Sequence, residues 1–131
     1  MPLRRLSAIL AAVLVALPLA ACGRSDEREV RDTLEGFAEA TARKDYQRLC
    51  DELFSERLVE QVRQTVPCEV ALRNSSLGDA RSPKLEIRRI TVDGDEARAE
   101  VTTSAANQPA SQDVVRLVRE DESWRIVELT S

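Results

Sequence analysis

Three thiols, a scatter of carboxylates and a single phenol are the side chains here with chemistry to offer. The thiols are Cys22, Cys50 and Cys68, and the chain holds no histidine. The usual general acid–base side chain is therefore missing, and no serine or threonine has a candidate base to complete a triad. Without histidine, and with no CxxC spacing, the cysteines do not read as a metal site, and no cofactor is expected. Asp32, Asp45 and Asp51 are the available carboxylates, and Tyr46 is the lone tyrosine. Each falls at a predicted helix cap or on a polar helix face, the ordinary place for a solvated acid. No catalytic residue is assigned, and the chain is not expected to be an enzyme.

The setting of Cys22 is more telling. Arg4 and Arg5 precede an apolar run from Leu6 to Ala21, which ends in Leu19-Ala20-Ala21-Cys22. That run is interrupted by Pro18 and falls short of the roughly 20 residues a transmembrane helix needs. The pattern resembles a bacterial lipoprotein signal peptide with its lipobox, in which two small residues let the peptidase grip the backbone. The cysteine thiol then takes the diacylglycerol and becomes the new N-terminus. An ordinary secretory signal cut after Ala21 is the nearest alternative. The resemblance implies a signal peptide over residues 1–21, the lipidated cysteine and a short tether over 22–25, and one domain over 26–131. It places that domain on the extracytoplasmic face of the cell membrane, held by lipid such as palmitate.

Removal of residues 1–21 from the 131-residue chain leaves enough for one small core. The whole chain carries a net charge of −4, and the removed part holds two arginines and no acid, so the remainder is more acidic still. An acidic domain without a basic stretch is a poor partner for nucleic acid. With Cys22 lipidated, Cys50 and Cys68 are left as a pair in an oxidising compartment, where a disulfide is expected. Such a bridge is worth roughly 3 kcal/mol in the chain-entropy model.

The elements that must position these residues fall into two halves. Asp26 with Glu29 reads as a capping-box start. Val30, Leu34, Phe37, Ala38 and Thr41 then recur on one helical stripe. Asp45 can cap a second helix carrying Leu49, Cys50 and Leu53, and Ser55 a third with Leu58, Val59 and Val62 inward. Pro67 suits the first turn of a fourth helix reaching Leu72, with Asn74 to Gly78 ending it. After Pro83 the period changes to two. Leu85 and Ile87 alternate, slip one position, and resume as Ile90 and Val92, which calls for a β-bulge at Arg88-Arg89. Asp93-Gly94 reads as the two-residue loop of a hairpin, returning through Ala97, Ala99, Val101 and Thr103. A longer loop over Asn107-Gln108-Pro109 leads to a third strand from Gln112 to Arg119. A turn at Glu120 to Ser123 leads to a fourth strand, Trp124 to Leu129.

Helices followed by an antiparallel meander is an α+β order. The long amphipathic helix, the Lys44-Asp45-Tyr46 opening of the second, and strands reading Ile90 to Ala97 and Glu122 to Val127 resemble the nuclear transport factor 2-like superfamily. The resemblance covers about residues 26–130 and implies a cystatin-like cone. In it, N-terminal helices pack on a curved antiparallel sheet of about four strands. Helix fills the stretch from Ser55 to Leu72, where that superfamily usually has an early hairpin. Its members include ketosteroid isomerases, dehydratases and many non-enzymes, so fold alone assigns no activity. Small Ala97 and Ala99 on the inner face either leave room for a ligand or pack closely against the helix; interiors usually pack. The last two strands carry apolar residues of both parities. Val114, Val118, Val127 and Leu129 are read as an outer interaction face for a second copy or another envelope protein. A second bulge near Val127 would instead leave a mildly apolar open face. The expectation is a lipid-anchored, non-catalytic domain binding a partner protein at the membrane surface. The alternative is a carrier or sensor of a small apolar ligand in the cone, and a third reading is an isomerase- or dehydratase-like enzyme.

Overall fold

The computed structural model describes residues 20–130, with side chains from Ser25 onward. Helix α1 spans Ala20–Arg43. A short α-turn, α2 (Tyr46–Arg48), continues directly into a π-helical turn, Leu49–Leu53. Helices α3 (Glu56–Val62), α4 (Cys68–Arg73) and α5 (Ser76–Asp79) follow. Strands β1 (Lys84–Asp93), β2 (Glu96–Ala105), β3 (Gln108–Glu120) and β4 (Ser123–Thr130) form one antiparallel meander in the order β1-β2-β3-β4. The expected α+β class, helices on a curved four-stranded sheet, is the fold observed.

Helix α1 buries the stripe Val30, Leu34, Phe37, Ala40 and Thr41, with Ala38 at its edge, half-buried. Its start differs from expectation. Asp26 caps nothing: the helix already runs through it, and the stretch 22–25 read as a tether is helical backbone. The Asp26 carboxylate instead pairs with the Arg119 guanidinium on β3, which also lies over the Trp124 ring at 5.0 Å from its centroid. The other caps are as read. The Asp45 side chain accepts from the Arg48 N–H at 3.1 Å, and Ser55 Oγ from the Leu58 N–H at 3.1 Å. Cys50 and Cys68 form the expected disulfide, which ties the π-turn to α4 across 6.2 Å between Cα atoms.

In the sheet, Ile87 pairs with Val101 and Arg89 with Glu100, so Arg88 is the extra residue of the anticipated bulge. The first hairpin turns one residue later than read. Asp93 pairs with Glu96, leaving Gly94-Asp95 as the loop, with Gly94 at φ 59°. Glycine takes that left-handed backbone without strain, and that fixes the register. The second connection is also tighter than expected. Ala105 pairs with Gln108, and Pro109 sits in an irregular stretch of β3, where a missing N–H breaks no ladder bond. The last turn is as read, with Asp121 and Glu122 both at positive φ between the paired Glu120 and Ser123.

Candidate functional site

Side chains on the inner face of β2 and β3 alternate with those facing out. From the Gly94 turn, the inner positions of β2 run Ala97, Ala99, Val101, Thr103. Opposite them on β3 stand Leu117, Val115, Asp113 and Ser111. The first two pairs are buried in a continuous core with Leu34, Phe54 and Ile126. Ala97 and Ala99 are thus packed rather than leaving room. Beyond Val101 and Val115 the inner positions turn polar, and the core does not close.

A cleft of about 300 Å³ opens there, between the C-terminal half of α1, the α5 segment and the sheet. Phe37, Ala38, Leu77, Val101, Val115 and Leu129 give it apolar walls, while Thr41, Thr103, Ser111 and Asp113 are among its polar groups, with Ser76, Lys84, Ser104, Gln108 and Thr130 also on the lining. Phe37 is the one aromatic ring among the described residues that line it. The Asp113 carboxylate accepts from both neighbouring hydroxyls. Ser111 Oγ donates to Oδ1 at 2.7 Å, and Thr103 Oγ1 donates to Oδ2. Thr41 is 7% exposed, and its Oγ1 has no hydrogen-bond partner. The wall at α5 has no fully buried side chain; half-buried Leu77 packs against the core, and polar bonds hold the rest. Asn107 Nδ2 donates to the Asp79 carbonyl at 2.8 Å and Gln108 Nε2 to the Ser76 carbonyl at 2.9 Å.

None of the carboxylates weighed from sequence reaches this cleft. Asp32, Asp45 and Asp51 are exposed. Tyr46 is buried elsewhere, with the Arg73 guanidinium 5.9 Å from its ring centroid. Asp113 was missed, although its parity with Val115 and Leu117 places it on the inner face. The four residues read as one outer face are also separated. Arg116 pairs with Glu128 and Leu117 with Ile126, so Val127 is the extra residue of a second bulge. That bulge reverses parity, and Leu129 pairs with Val115 and lines the cleft on the inner side. Val114 and Val118 remain outside, half-buried. They alternate there with Arg116, which bonds Glu128 at 3.1 Å, and face Glu100 and Glu96 of β2.

The signal peptide read over residues 1–21 lies outside the described residues except for the helical backbone of Ala20 and Ala21, and so does the side chain of Cys22. No helix of the described residues is long and apolar enough to cross a membrane.

A family model described as "Putative lumazine-binding" matches residues 25–130. Comparison with curated proteins gave no match. Among solved structures, an NTF2-like protein of unknown function from Shewanella baltica is similar at 16% identity and a TM-score of 0.60. The match covers 81% of this chain and 91% of that one. A second NTF2-like protein of unknown function, from Silicibacter pomeroyi, matches at 19% identity and a TM-score of 0.60, covering 81% and 93%. A protein from Streptomyces avermitilis, described as a "putative dehydratase" of the NTF2-like family, matches at 14% identity and a TM-score of 0.51, covering 81% and 94%. At these identities the likeness is one of fold.

Proposed function

The chain belongs to the lumazine-binding-described family whose model spans residues 25–130, and from that premise we propose that it is a lipid-anchored, non-catalytic domain that holds a small ligand in the cleft. The observation that carries this reading is the Asp113 carboxylate, fixed by Thr103 and Ser111 inside a cleft with apolar walls. Sites for small molecules are mostly apolar, with a few placed polar groups that set orientation. This cleft has that composition, at the lower end of the usual range of about 300–1,000 Å³. Lumazine, named in the family's description, is a planar heterocycle with N–H donors. Acceptors at the cleft suit such donors, while the single ring of Phe37 offers little stacking surface.

The non-catalytic part of the proposal rests on what surrounds Asp113. Among the described residues lining the cleft, the other ionisable side chain is Lys84, which is exposed at the start of β1. A carboxylate already accepting two hydroxyl bonds, with no buried acid or base beside it, is equipped to orient a ligand rather than to shuttle protons. Partner binding at the outer face ranks second, because Val114 and Val118 stand among charged residues and leave no broad apolar patch to cover. Anchoring follows from Cys22: Cys22→Ala should abolish lipid labelling, and membrane retention of a shortened Cys22→Ala protein would place the anchor elsewhere.

Methyl NMR of the detergent-solubilised protein, titrated with indole, tests the cleft. Shifts confined to Ala38, Leu77, Val101, Val115 and Leu129 are expected. Absence of shifts there, or equal shifts at Val30 and Ile126 in the core, would defeat the reading.

A further inference from the structure

We propose that the cleft selects small organic cations, primary amines on an apolar body, over anions of the same shape; this rests on the ligand-binding reading above. The argument is a count of hydrogens. A serine or threonine hydroxyl has one O–H to donate and two lone pairs. Thr103 and Ser111 both donate to Asp113, so toward a ligand they present lone pairs alone. Asp113, ionised, accepts only, and its two oxygens have room for about four bonds in all, of which two are taken. Thr103, Ser111 and Asp113 thus present only acceptors to a ligand, arranged side by side on two paired strands.

Thr41 favours occupancy of the cleft without choosing a sign of charge, since its free hydroxyl can donate as well as accept. Thr41 Oγ1 is buried without a partner, and an unsatisfied buried polar group is costly unless something arrives to pair with it. Gln108 commits one of its two amide N–H groups to the Ser76 carbonyl. Lys84 is the only cation among the described residues lining the cleft, and it is exposed. A carboxylate or phosphate would therefore meet lone pairs and a negative charge in a chain whose net charge is −4. A primary ammonium has three N–H donors. They match Asp113, Thr103 and Ser111, while Phe37 and Val115 pack against the apolar body.

Calorimetric titration of the intact protein in neutral detergent compares 2-phenylethylamine with 3-phenylpropionate, which has the same ring and tether but the opposite charge. The amine should bind at least about tenfold tighter, the scale of one charge-assisted hydrogen bond. Asp113→Asn keeps the shape and one acceptor oxygen but removes the charge, and should narrow that ratio to near unity. Should Asp113→Asn fail to fold, Ser111→Ala, which frees one carboxylate oxygen, should leave the preference for the amine in place. Equal binding of the two probes, or tighter binding of the carboxylate, would overturn the selectivity. So would binding of indole with neither charged probe, an outcome that leaves the cleft reading intact. Failure of indole and both charged probes alike would remove both.

Discussion

The two ends of the sheet's inner face share the same strands and the same helix, yet one is filled and the other open. Toward the Gly94 turn the inner positions are Ala97 and Ala99 opposite Leu117 and Val115. There Trp124, Ile126 and Val30 are 4% exposed or less. That end is also tied across its surface: Arg119 joins Asp26 of α1 to the Trp124 ring, and Thr33 Oγ1 donates to the Trp124 carbonyl at 3.2 Å. Toward the Asn107 turn the same alternation brings Thr103, Ser111 and Asp113 inward. Hydroxyls and a carboxylate pair with one another rather than with α1, and the wall above them is a short helix with no fully buried side chain. The difference lies in side-chain choice at four or five alternating positions, together with the bulge at Val127 that turns Leu129 inward. The sheet therefore carries a packed core at one end and an open cleft at the other.

The comparison is broken most severely by reversing a core position. Leu117 is 1% exposed, and Leu117→Lys buries a charge with no counter-ion, a loss on the order of 4 kcal/mol. Denaturant titration should show little cooperative folding remaining. Val118→Lys, the next residue, faces out opposite Glu96 and should shift the midpoint by no more than about 0.5 kcal/mol. Equal losses from the two would show that the outer face is buried as well.

The disulfide links the two ends through the helical layer, since α4 leads directly into the α5 wall of the cleft. Replacing Cys50 and Cys68 together by serine should cost roughly 3 kcal/mol. Hydrogen exchange should then quicken over residues 68–80 while β2 and β3 near the Gly94 turn stay protected. Uniform loss of protection would mean that the cleft wall is not a separate unit.

A smaller effect comes from the β3–β4 turn at the packed end. Glu122 holds φ 66°, a conformation that costs a side chain-bearing residue about 1 kcal/mol and glycine almost nothing. Glu122→Gly should raise stability by up to about 1 kcal/mol in thermal unfolding, with no change in ligand affinity at the opposite end.

Much of this architecture could be read before folding, and the failures have physical causes. The bulge at Arg88 was legible because apolar residues of opposite parity flank it on both sides. The bulge at Val127 was not fixed, because Val127 and Leu129 are both apolar and either could face in; that ambiguity sent Leu129 to the wrong side. The first hairpin was displaced by one residue because Asp93-Gly94 and Gly94-Asp95 both carry the turn chemistry. Only the register of Val92 with Ala97 decides between them. The π-turn at Leu49–Leu53 has no local signature; an ordinary α stripe of Leu49 and Leu53 describes it equally well. Asp113 was visible in principle, two residues before Val115 on the same face. It was passed over because an acid at a strand's inner position runs against the usual pattern, and that departure marks the site.

The central claim, a filled end and an open end on one inner face, is tested most directly by adding the same side-chain atoms to each. Ala99 is 0% exposed in the core, whereas Ala38 lines the cleft. Ala99→Leu should destabilise the domain by about 1–3 kcal/mol through overpacking. Ala38→Leu should be neutral or mildly stabilising in the same denaturant titration while blocking indole. Equal destabilisation by the two substitutions would contradict the account, because it would mean that both ends are packed and the cleft offers no room.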